Sequence, residues 1–356
     1  MDFMLGTVAK IDKVGLVKQG EELGYSHFGA GEGPLLFSEP YEFLAIAARE
    51  TKSIQLGTWV TNPLTRLLPQ TANAIATLNA LAPGRVFLGI GAANNAMRSM
   101  GLRTARVAEL EAVVQGIRTL LEGKRLLYQW ENNERYIEFL DPQGGWYNIA
   151  DSIPVFVPAG GPKSLVMASR VADGVGYCLG PDTNLIRIVR KEMDEAATKA
   201  GRDPKSVKLI AVTWFYMLRP GESREEAITK GFGSGPLSSC FTNIQLMRQH
   251  ASELDETLMR DSEQATAAYL GVQGDQQTVH LDVWKSYMQG LDPRTIPLIT
   301  QKVIDSFCIC GTPDQCLTQV RQMADAGIDG INIFLSNPHT VERDAKDFAE
   351  CVIHRW

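Results

Sequence analysis

The chain has 356 residues, of which 44% are hydrophobic and 21% are charged, a composition typical of an enzyme with a substantial core. Its formal net charge of -6, from 35 basic and 41 acidic residues, argues against a nucleic-acid partner. The sequence has neither an apolar run of membrane-spanning length nor a signal-peptide layout at its start. We therefore expect a cytoplasmic enzyme without a membrane partner.

The six cysteines are scattered along the chain, which indicates reduced thiols and not a disulfide framework. Cys308, Cys310 and Cys316 lie close together in sequence, but no histidine accompanies them and we predict no metal site. His27 falls within a predicted strand, where we expect a packed, hydrogen-bonded side chain, and the other histidines lack metal-ligand spacing. The chain carries neither a Ser-His-Asp nor a P-loop signature.

The first half of the chain alternates strands with helices. A strand at Phe3–Val8 precedes a helix that ends near Leu23, and a strand at Tyr25–Ala30 precedes a helix near Tyr41–Thr51. Residues 54–60 form a third strand, Leu67–Leu81 has apolar residues at helical spacing, and Pro83-Gly84 ends that helix. Residues 85–91 form the fourth strand.

Small residues follow the fourth strand, in the order Gly91-Ala92-Ala93-Asn94. Such residues let a ligand approach the backbone closely at the carboxyl end of a strand, where parallel α/β folds place their sites. A long helix is predicted at Leu102–Leu121. The segment Gly123–Ala150 then interrupts the alternation and is typical of a small β excursion.

The alternation resumes after this segment. The remaining strands are predicted at Ile153–Ala159, Asp173–Cys178, Val207–Leu218 and Gly330–Leu335, with helices at about Asn184–Ala200, after a Thr312 cap and at Val341–Ile353. The segment Gly231–Asp305 is too long for a connecting loop, and helical pieces such as Asn243–Leu258 indicate an insertion that covers the site.

Eight strands alternating with helices predict a (β/α)8 TIM barrel, an α/β fold. We expect a single domain at residues 1–356, with insertions at about 123–150 after strand 4 and about 231–305 after strand 7. A doubly wound open sheet is the alternative fold.

Three segments carry a family resemblance: residues 57–95, residues 154–175 with the turn PAGGPKS, and residues 310–334. They resemble the bacterial luciferase-like superfamily, most closely its methylenetetrahydromethanopterin reductase branch. The resemblance implies a barrel enzyme with a flavin-like cofactor. Members use either reduced FMN with oxygen or the deazaflavin coenzyme F-420 (F420) for hydride transfer.

The resemblance also implies site residues. A non-prolyl cis peptide is expected at Trp59-Val60, beneath the cofactor ring, and a phosphate-binding turn at Ala159–Pro162, where a helix begins. The expected cofactor contacts are Thr58, Trp59, Val60, Gly91, Ala92, Ala93, Asn94, Arg106, Ala159, Gly160, Gly161, Pro162 and Lys163. Five of these positions have ordinary alternatives: Trp59 as a core residue, Gly160-Gly161-Pro162 as a common helix entry, and Arg106 as a solvated helix residue.

Several positions depart from the family pattern. Glu32-Gly33 stands where the deazaflavin sugar dehydrogenases carry an aspartate and a histidine, and Asn94 replaces an acidic residue. Gly6-Thr7 stands where the reductase branch has a glutamate, and Gly91 takes the position of the luciferase cysteine. The acid and base residues of the hydride-transferring relatives are therefore missing.

Oxygen chemistry depends less on ionising side chains, because the protein chiefly supplies orientation, a dry cavity and hydrogen bonds. We therefore predict a monooxygenase that uses reduced FMN and oxygen on a small organic substrate. The predicted catalytic residues are Asn94, Glu32 and Trp59. Further contacts are expected from Thr58, Thr61, Phe232, Trp284 and Tyr287.

Two alternatives stay open. One is hydride transfer by a coenzyme F-420-dependent reductase or dehydrogenase, and the other is a catalytically silent flavin-binding or dimer-partner protein. The residues after strand 4 lack a complete Rossmann fingerprint, so a monooxygenase would receive its flavin from a separate NAD(P)H:flavin reductase. The resemblance also implies a homodimer through the early helices.

Overall fold

The computed structural model describes residues 1–270, 275, 277–281, 296–335, 337 and 339–356. The strands in these residues are β1 (Asp2–Val8), β2 (His27–Gly31), β3 (Gln55–Thr61), β4 (Val86–Ile90), β5 (Leu126–Trp130), β6 (Asn133–Ile137), β7 (Val155–Pro158), β8 (Gly174–Cys178), β9 (Lys208–Met217), β10 (Cys308–Gly311) and β11 (Gly330–Phe334). The predicted strands are all present, and most of their ends shift by one or two residues.

Eight parallel strands close a barrel in the order β1, β2, β3, β4, β7, β8, β9 and β11 within the described part of the chain. The ring is completed by pairing of β9 with both β8 and β11, and of β11 with β1. Met4 on β1, for example, lies opposite both His27 and Asn332. The closed ring confirms the (β/α)8 prediction and excludes the open sheet.

A further strand, β10, lies outside this ring. β9 has ten residues and is long enough to use two partners in succession. Its first part, Ile210–Thr213, pairs with β11, and its last part, Trp214–Met217, pairs with β10. The cysteine-containing segment Cys308–Gly311 is therefore an extension of the sheet.

The helices of the described residues surround the barrel. They are α1 (Gly15–Glu22), α2 (Pro40–Glu50), α3 (Leu68–Leu81), α4 (Asn94–Arg98), α5 (Val107–Leu121), α6 (Pro162–Val171), α7 (Thr183–Lys199), α8 (Arg224–Ala227), α9 (Gly235–Gln249), α10 (Glu256–Leu270), α11 (Gln301–Phe307), α12 (Pro313–Asp325) and α13 (Val341–Cys351). The predicted cap of α12 is confirmed, because the Thr312 and Gln315 side chains each accept a hydrogen bond from the other residue's amide. In this part of the chain no helix has the length and apolar character needed to span a membrane.

Two helix predictions were wrong at their boundaries. α5 begins at Val107 and not at Leu102, because the preceding loop is drawn to the barrel by a hydrogen bond from the Ala105 amide to the Ala92 carbonyl. The helix predicted at Asn243–Leu258 is two helices, α9 and α10. The break lies near Asp255, whose carboxylate accepts a hydrogen bond from the Leu258 amide at the start of α10.

The β excursion is confirmed as an antiparallel hairpin of β5 and β6 between α5 and β7. Helices α8 to α11 come from the chain between β9 and β10, where the second insertion was predicted. Trp284 and Tyr287, two of the predicted substrate contacts, lie outside the described residues.

The core has two parts. Side chains such as Leu5, Phe28 and Phe348 pack between the strands and the surrounding helices. A separate cluster contains Met4, Trp59, Phe87, Phe156 and Ile210. Because side chains alternate along a strand, this second cluster fills the interior of the barrel.

Candidate cofactor and active site

A cavity of about 410 Å³ opens at the carboxyl ends of the barrel strands. This volume lies within the range of small-molecule sites, and this end of the barrel is where such folds bind ligands. The cavity is lined by nine residues that the sequence analysis proposed: Glu32, Trp59, Val60, Gly91, Ala92, Ala93, Asn94, Ala159 and Gly160.

Trp59 forms the floor of the cavity and is 5% exposed. Its ring crosses the barrel above glycines of three other strands. A Cβ built on Gly29 would lie 2.5 Å from Trp59 Cβ, one on Gly89 would lie 3.2 Å from Cε3, and one on Gly176 would lie 3.0 Å from Cζ2. Glycine at these positions makes room for the indole inside a barrel that larger side chains would fill.

The Trp59-Val60 peptide is cis, which confirms the geometry that the resemblance implies. The pairing of β3 with β4 shifts register at the same place, between Thr58 and Thr61. Val60 lies against Gly91, where an added Cβ would come within 2.9 Å of Val60 Cγ2. The predicted contacts Trp59 and Val60 and the segment 91–94 are therefore adjacent in the cavity wall.

Ala93 has a left-handed backbone, with φ of 68° and ψ of 35°. This conformation is uncommon for a residue with a Cβ and occurs more often at functional sites than elsewhere. It turns the chain from β4 into α4, which begins at Asn94. Asn94 lies exposed at the mouth of the cavity.

The predicted phosphate turn lies at the other side of the cavity, between β7 and α6. The Gly160 amide donates to Ser164 Oγ at 3.0 Å, and this hydroxyl donates to the Gly161 carbonyl. Gly161 has φ of 148° and Pro162 starts the helix. In the first turn of α6, Pro162 has no N–H and the Leu165 amide donates to the Gly161 carbonyl. The Lys163 and Ser164 amides have no helical carbonyl partners and are available to an anion.

Glu32 is the one side chain with a formal charge at neutral pH among the described residues that line the cavity. Its side chain is 4% exposed. Thr61 donates a hydrogen bond of 2.5 Å to Oε2, while Thr65 Oγ1 and Arg66 Nε lie 3.4 and 3.3 Å from Oε1. A buried carboxylate with this set of donors is held in a fixed orientation at the cavity edge.

Some predicted contacts do not line the cavity. The buried Thr58 hydroxyl donates to the Gly89 carbonyl at 2.7 Å, and the Thr61 hydroxyl is engaged by Glu32. Phe232 is buried against Tyr216 in the outer core. The others are Arg106, Gly161, Pro162 and Lys163; Arg106 is the exposed residue before α5, Lys163 is exposed on α6, and Gly161 and Pro162 belong to the turn behind Gly160.

Helix α9 supplies lining residues that sequence reasoning missed. Ser238 and Thr242, one turn apart, face the cavity together with Ser234, which precedes the helix. The helix is held over the barrel by a hydrogen bond of 3.0 Å from Trp214 Nε1 to Ser239 Oγ and one of 2.7 Å from Asn243 Nδ2 to the Cys178 carbonyl. The signal available in the sequence was this four-residue spacing of hydroxyls on a helix with few charges.

Two titratable groups inside the barrel are perturbed by burial. Burial raises the pKa of the Cys178 thiol to about 11, although Thr242 and Ser239 oppose the change through hydrogen bonds. Cys178 lines the cavity as a neutral thiol. Burial lowers the pKa of His27 to about 4, and its Nδ1 lies 2.8 Å from Ser26 Oγ, which confirms the predicted packed histidine.

The fit to a flavin-like molecule rests on three features of the cavity. Its floor is an aromatic ring, its wall is backbone of small residues, and a helix start with available amides lies at one end. A planar ring with an anionic tail has complementary chemistry. Apart from Glu32, the polar side chains of the described lining are neutral, and they include Ser164, Ser234, Ser238, Thr242, Asn62 and Asn94.

The fold and the cavity define a (β/α)8 barrel enzyme with its ligand site at the carboxyl ends of the strands. A family model described as luciferase-like monooxygenase matches residues 9–330. The chain therefore belongs to the bacterial luciferase-like family and is a luciferase-like oxidoreductase, as the resemblance predicted.

Individual relatives extend over most of the chain. The 5,10-methylenetetrahydromethanopterin reductase of Methanolobus tindarius is 28% identical over 293 residues, covering 82% of this chain and 80% of that protein. The F420-dependent glucose-6-phosphate dehydrogenase 2 of Rhodococcus jostii is 26% identical over 313 residues, covering 86% and 79%. The solved coenzyme F420 dependent tetrahydromethanopterin reductase from Methanopyrus kandleri superposes with a TM-score of 0.73 at 22% identity over 99% of both chains, a likeness of fold.

Proposed function

We propose that this luciferase-like oxidoreductase uses the deazaflavin coenzyme F420 to transfer a hydride to or from a small organic substrate. The observation that carries the proposal is the relative named as an F420-dependent dehydrogenase, which matches 86% of the chain. The matching reductase from Methanolobus tindarius also supports hydride transfer. The alternative that the sequence analysis kept open therefore takes precedence over the FMN monooxygenase.

The residues around the cavity are chemically suited to such a cofactor. Trp59 and Val60 would support the ring, Gly91–Asn94 would contact its edge through backbone groups, and the first turn of α6 would hold the phosphate. Arg106 and Lys163, both exposed near this end, would add positive charge to the anionic tail. When bound, F420 supplies a carbon centre that accepts or donates a hydride.

Glu32 is the residue of this chain suited to exchange the proton that accompanies hydride transfer. Oxidation of an alcohol releases a proton from the hydroxyl, and reduction of a carbonyl requires one at the oxygen. A carboxylate at the cavity edge, oriented by Thr61 and Arg66, can take or return that proton. Glu32 thereby replaces the Asp-His pair of the sugar dehydrogenases, and Asn94 contributes hydrogen bonds without exchanging a proton.

The FMN monooxygenase is the second candidate, because the matching family model is described as luciferase-like monooxygenase. The cavity needs no additional ionising group for that reaction. On this account the residues would chiefly exclude water and donate hydrogen bonds.

The cofactor that the protein binds and turns over distinguishes the F420-dependent enzyme from the FMN monooxygenase. Purified full-length protein is titrated with F420 and with FMN, each oxidised and reduced, and binding is followed by cofactor fluorescence. We expect F420 to bind at least ~10-fold more tightly, a difference of about 1.4 kcal/mol, and to be reduced anaerobically by members of a panel of neutral alcohols. Oxygen consumption with reduced FMN that depends on an organic substrate and exceeds the oxidation of free reduced FMN would favour the monooxygenase. Binding without any turnover would favour the silent protein.

The partners expected from the resemblance stay predictions. A homodimer through the early helices is checked by sedimentation velocity. A separate NAD(P)H:flavin reductase is required only if reduced FMN proves to be the cofactor.

A further inference from the structure

Arg66 lies between two carboxylates at the edge of the cavity. Its Nε is 3.3 Å from Glu32 Oε1, and its Nη2 donates to Glu39 Oε1. The three residues come from separate places in the chain: Glu32 follows β2, Glu39 precedes α2 as its cap, and Arg66 lies between β3 and α3. The side chains of Glu32, Arg66 and Glu39 are 4%, 17% and 35% exposed, so the chain of charges runs from the cavity towards solvent.

An aromatic ring restricts Arg66 further. The guanidinium carbon lies 4.8 Å from the centre of the Tyr41 ring, a cation–π contact. With two carboxylate partners and an aromatic ring in contact, the guanidinium is held in one orientation. Arg66 is thus a fixed charge beside Glu32 and not a mobile surface side chain.

Glu32 and Glu39 compete for this one cation. Burial raises the pKa of Glu39, the Glu32 carboxylate raises it further, and Arg66 opposes both. A cation near a carboxylate favours its charged form and a second carboxylate disfavours it. Removing the charge of Arg66 and removing the charge of Glu39 must therefore have opposite effects on the charged form of Glu32.

We propose that Arg66 and Glu39 are positioning residues that set the charge state and orientation of Glu32, with Arg66 favouring the carboxylate and Glu39 restraining that effect. The inference deepens the proposed function, on which it rests for the role of Glu32 in proton transfer. Neither Arg66 nor Glu39 appears among the residues that line the cavity, so both act through Glu32.

The groups that face Glu32 in the described chain are few. Arg66 comes from the loop after β3, and Glu39 and Tyr41 come from the start of α2. Burial raises the pKa of the Tyr41 phenol, which keeps this ring neutral. Glu42, which is exposed on α2, acts on Glu39.

The test measures protonation of Glu32 directly, in protein without cofactor. Side-chain carboxyl signals of ¹³C-labelled glutamate are followed by NMR across pH, and the Glu32 signal is assigned from its loss in Glu32→Gln. Arg66→Met, which removes the cation beside Glu32, is expected to raise the pH midpoint of Glu32 protonation, and Glu39→Gln is expected to lower it. Arg66→Lys keeps the positive charge but loses the planar guanidinium with its paired donors. The Glu32 midpoint in this variant is expected between those in wild type and in Arg66→Met.

Arg103→Met is the matched control, because Arg103 forms a comparable ion pair with Glu109 at an exposed site. It is expected to leave the Glu32 midpoint unchanged. Midpoints that move in the same direction in Arg66→Met and Glu39→Gln, or that do not move, overturn the inference. If Arg66→Met does not fold, the midpoints of Glu39→Gln and Arg66→Lys decide, since they are expected on opposite sides of the wild-type value.

This readout separates the inference from the proposed function. If F420-linked turnover exists, the pH profile of kcat shifts with the NMR midpoint in each variant. If no F420-linked turnover exists but the midpoints shift oppositely, the charge network stands and the catalytic assignment fails. Turnover with unchanged midpoints supports the function and removes Arg66 and Glu39 from it.

Discussion

The indole of Trp59 on β3 occupies the space where a side chain at Gly176 on β8 would lie. A Cβ at Gly176 would lie 3.0 Å from Trp59 Cζ2 and 3.1 Å from Cη2. The floor of the cavity is thus built by two residues that are distant in sequence, one large and one without a side chain. The height of the indole, and with it the depth of the cavity, depends on this contact.

Gly176→Ala is expected to push the indole towards the cavity. Because the interior is closely packed, the variant should lose roughly 1–3 kcal/mol of unfolding free energy and bind the cofactor more weakly. Chemical denaturation and cofactor titration measure the two effects. Gly15→Ala is the control, since an added Cβ there meets no atom within 4 Å; equal behaviour of the two variants would contradict the packing account.

Glu32→Gln keeps the shape of the side chain but removes its negative charge. We expect cofactor affinity to stay close to wild type and turnover to fall by about 10²–10⁴-fold, the usual contribution of a positioned acid or base. Steady-state kinetics of F420 reduction measure the change. Glu42→Gln, at an exposed residue of the same region, serves as control, and full activity in Glu32→Gln would remove Glu32 from the reaction.

Cys178 lines the cavity as a thiol whose pKa burial raises to about 11. Alkylation by iodoacetamide should therefore be slow near pH 8 and accelerate roughly tenfold per pH unit, because the thiolate is the nucleophile. The other five cysteines are buried, so Cys178 should be modified first and a bound cofactor should protect it. Peptide mass spectrometry identifies the site, with Cys178→Ser as control; rapid labelling at neutral pH would refute the prediction.

His27 predicts a pH dependence of stability. Burial lowers its pKa from 6.5 to about 4, so the unfolded chain binds this proton at a higher pH than the folded protein does. The stabilisation is complete above pH 6.5 and is lost as pH falls towards 4, with a total on the order of 3 kcal/mol.

The measurement is urea denaturation at several pH values for wild type and His27→Gln. Carboxylates contribute equally to both proteins. The difference between their plots of unfolding free energy against pH therefore gives the contribution of His27. The wild type should lose more stability between pH 6.5 and 4 than the variant does. Parallel curves would show that the imidazole is not buried in its neutral form.

Local sequence patterns were sufficient for much of the fold. The strand at residues 54–60, the helix that follows it and the cap at Thr312 depend on neighbours within a few residues, and all were predicted close to their observed places. The start of α5 was misplaced because a long-range bond, from the Ala105 amide to the Ala92 carbonyl, decides it. The separation of α9 from α10 was missed, although Asp255 before α10 is a local cap signal.

Some residues of the site likewise have a local sequence signal, and others are brought together only by the fold. Gly91–Asn94 and Gly160 were predicted because small residues after a strand carry a recognisable signal. The partnership of Glu32 with Arg66 was not, since only closure of the barrel brings residues 34 positions apart together. Nothing in the sequence indicated that Gly29, Gly89 and Gly176 all lie against the Trp59 side chain, because each glycine is on a different strand.

The most direct test is a crystal structure of the full-length protein with oxidised F420. We expect the fused rings to lie on the Trp59-Val60 segment, with the phosphate within hydrogen-bond distance of the first amides of α6. Glu32 should face the open side of the ring, where a substrate would enter. Density for the rings outside the barrel mouth, or a phosphate held far from Gly161, would contradict the assignment.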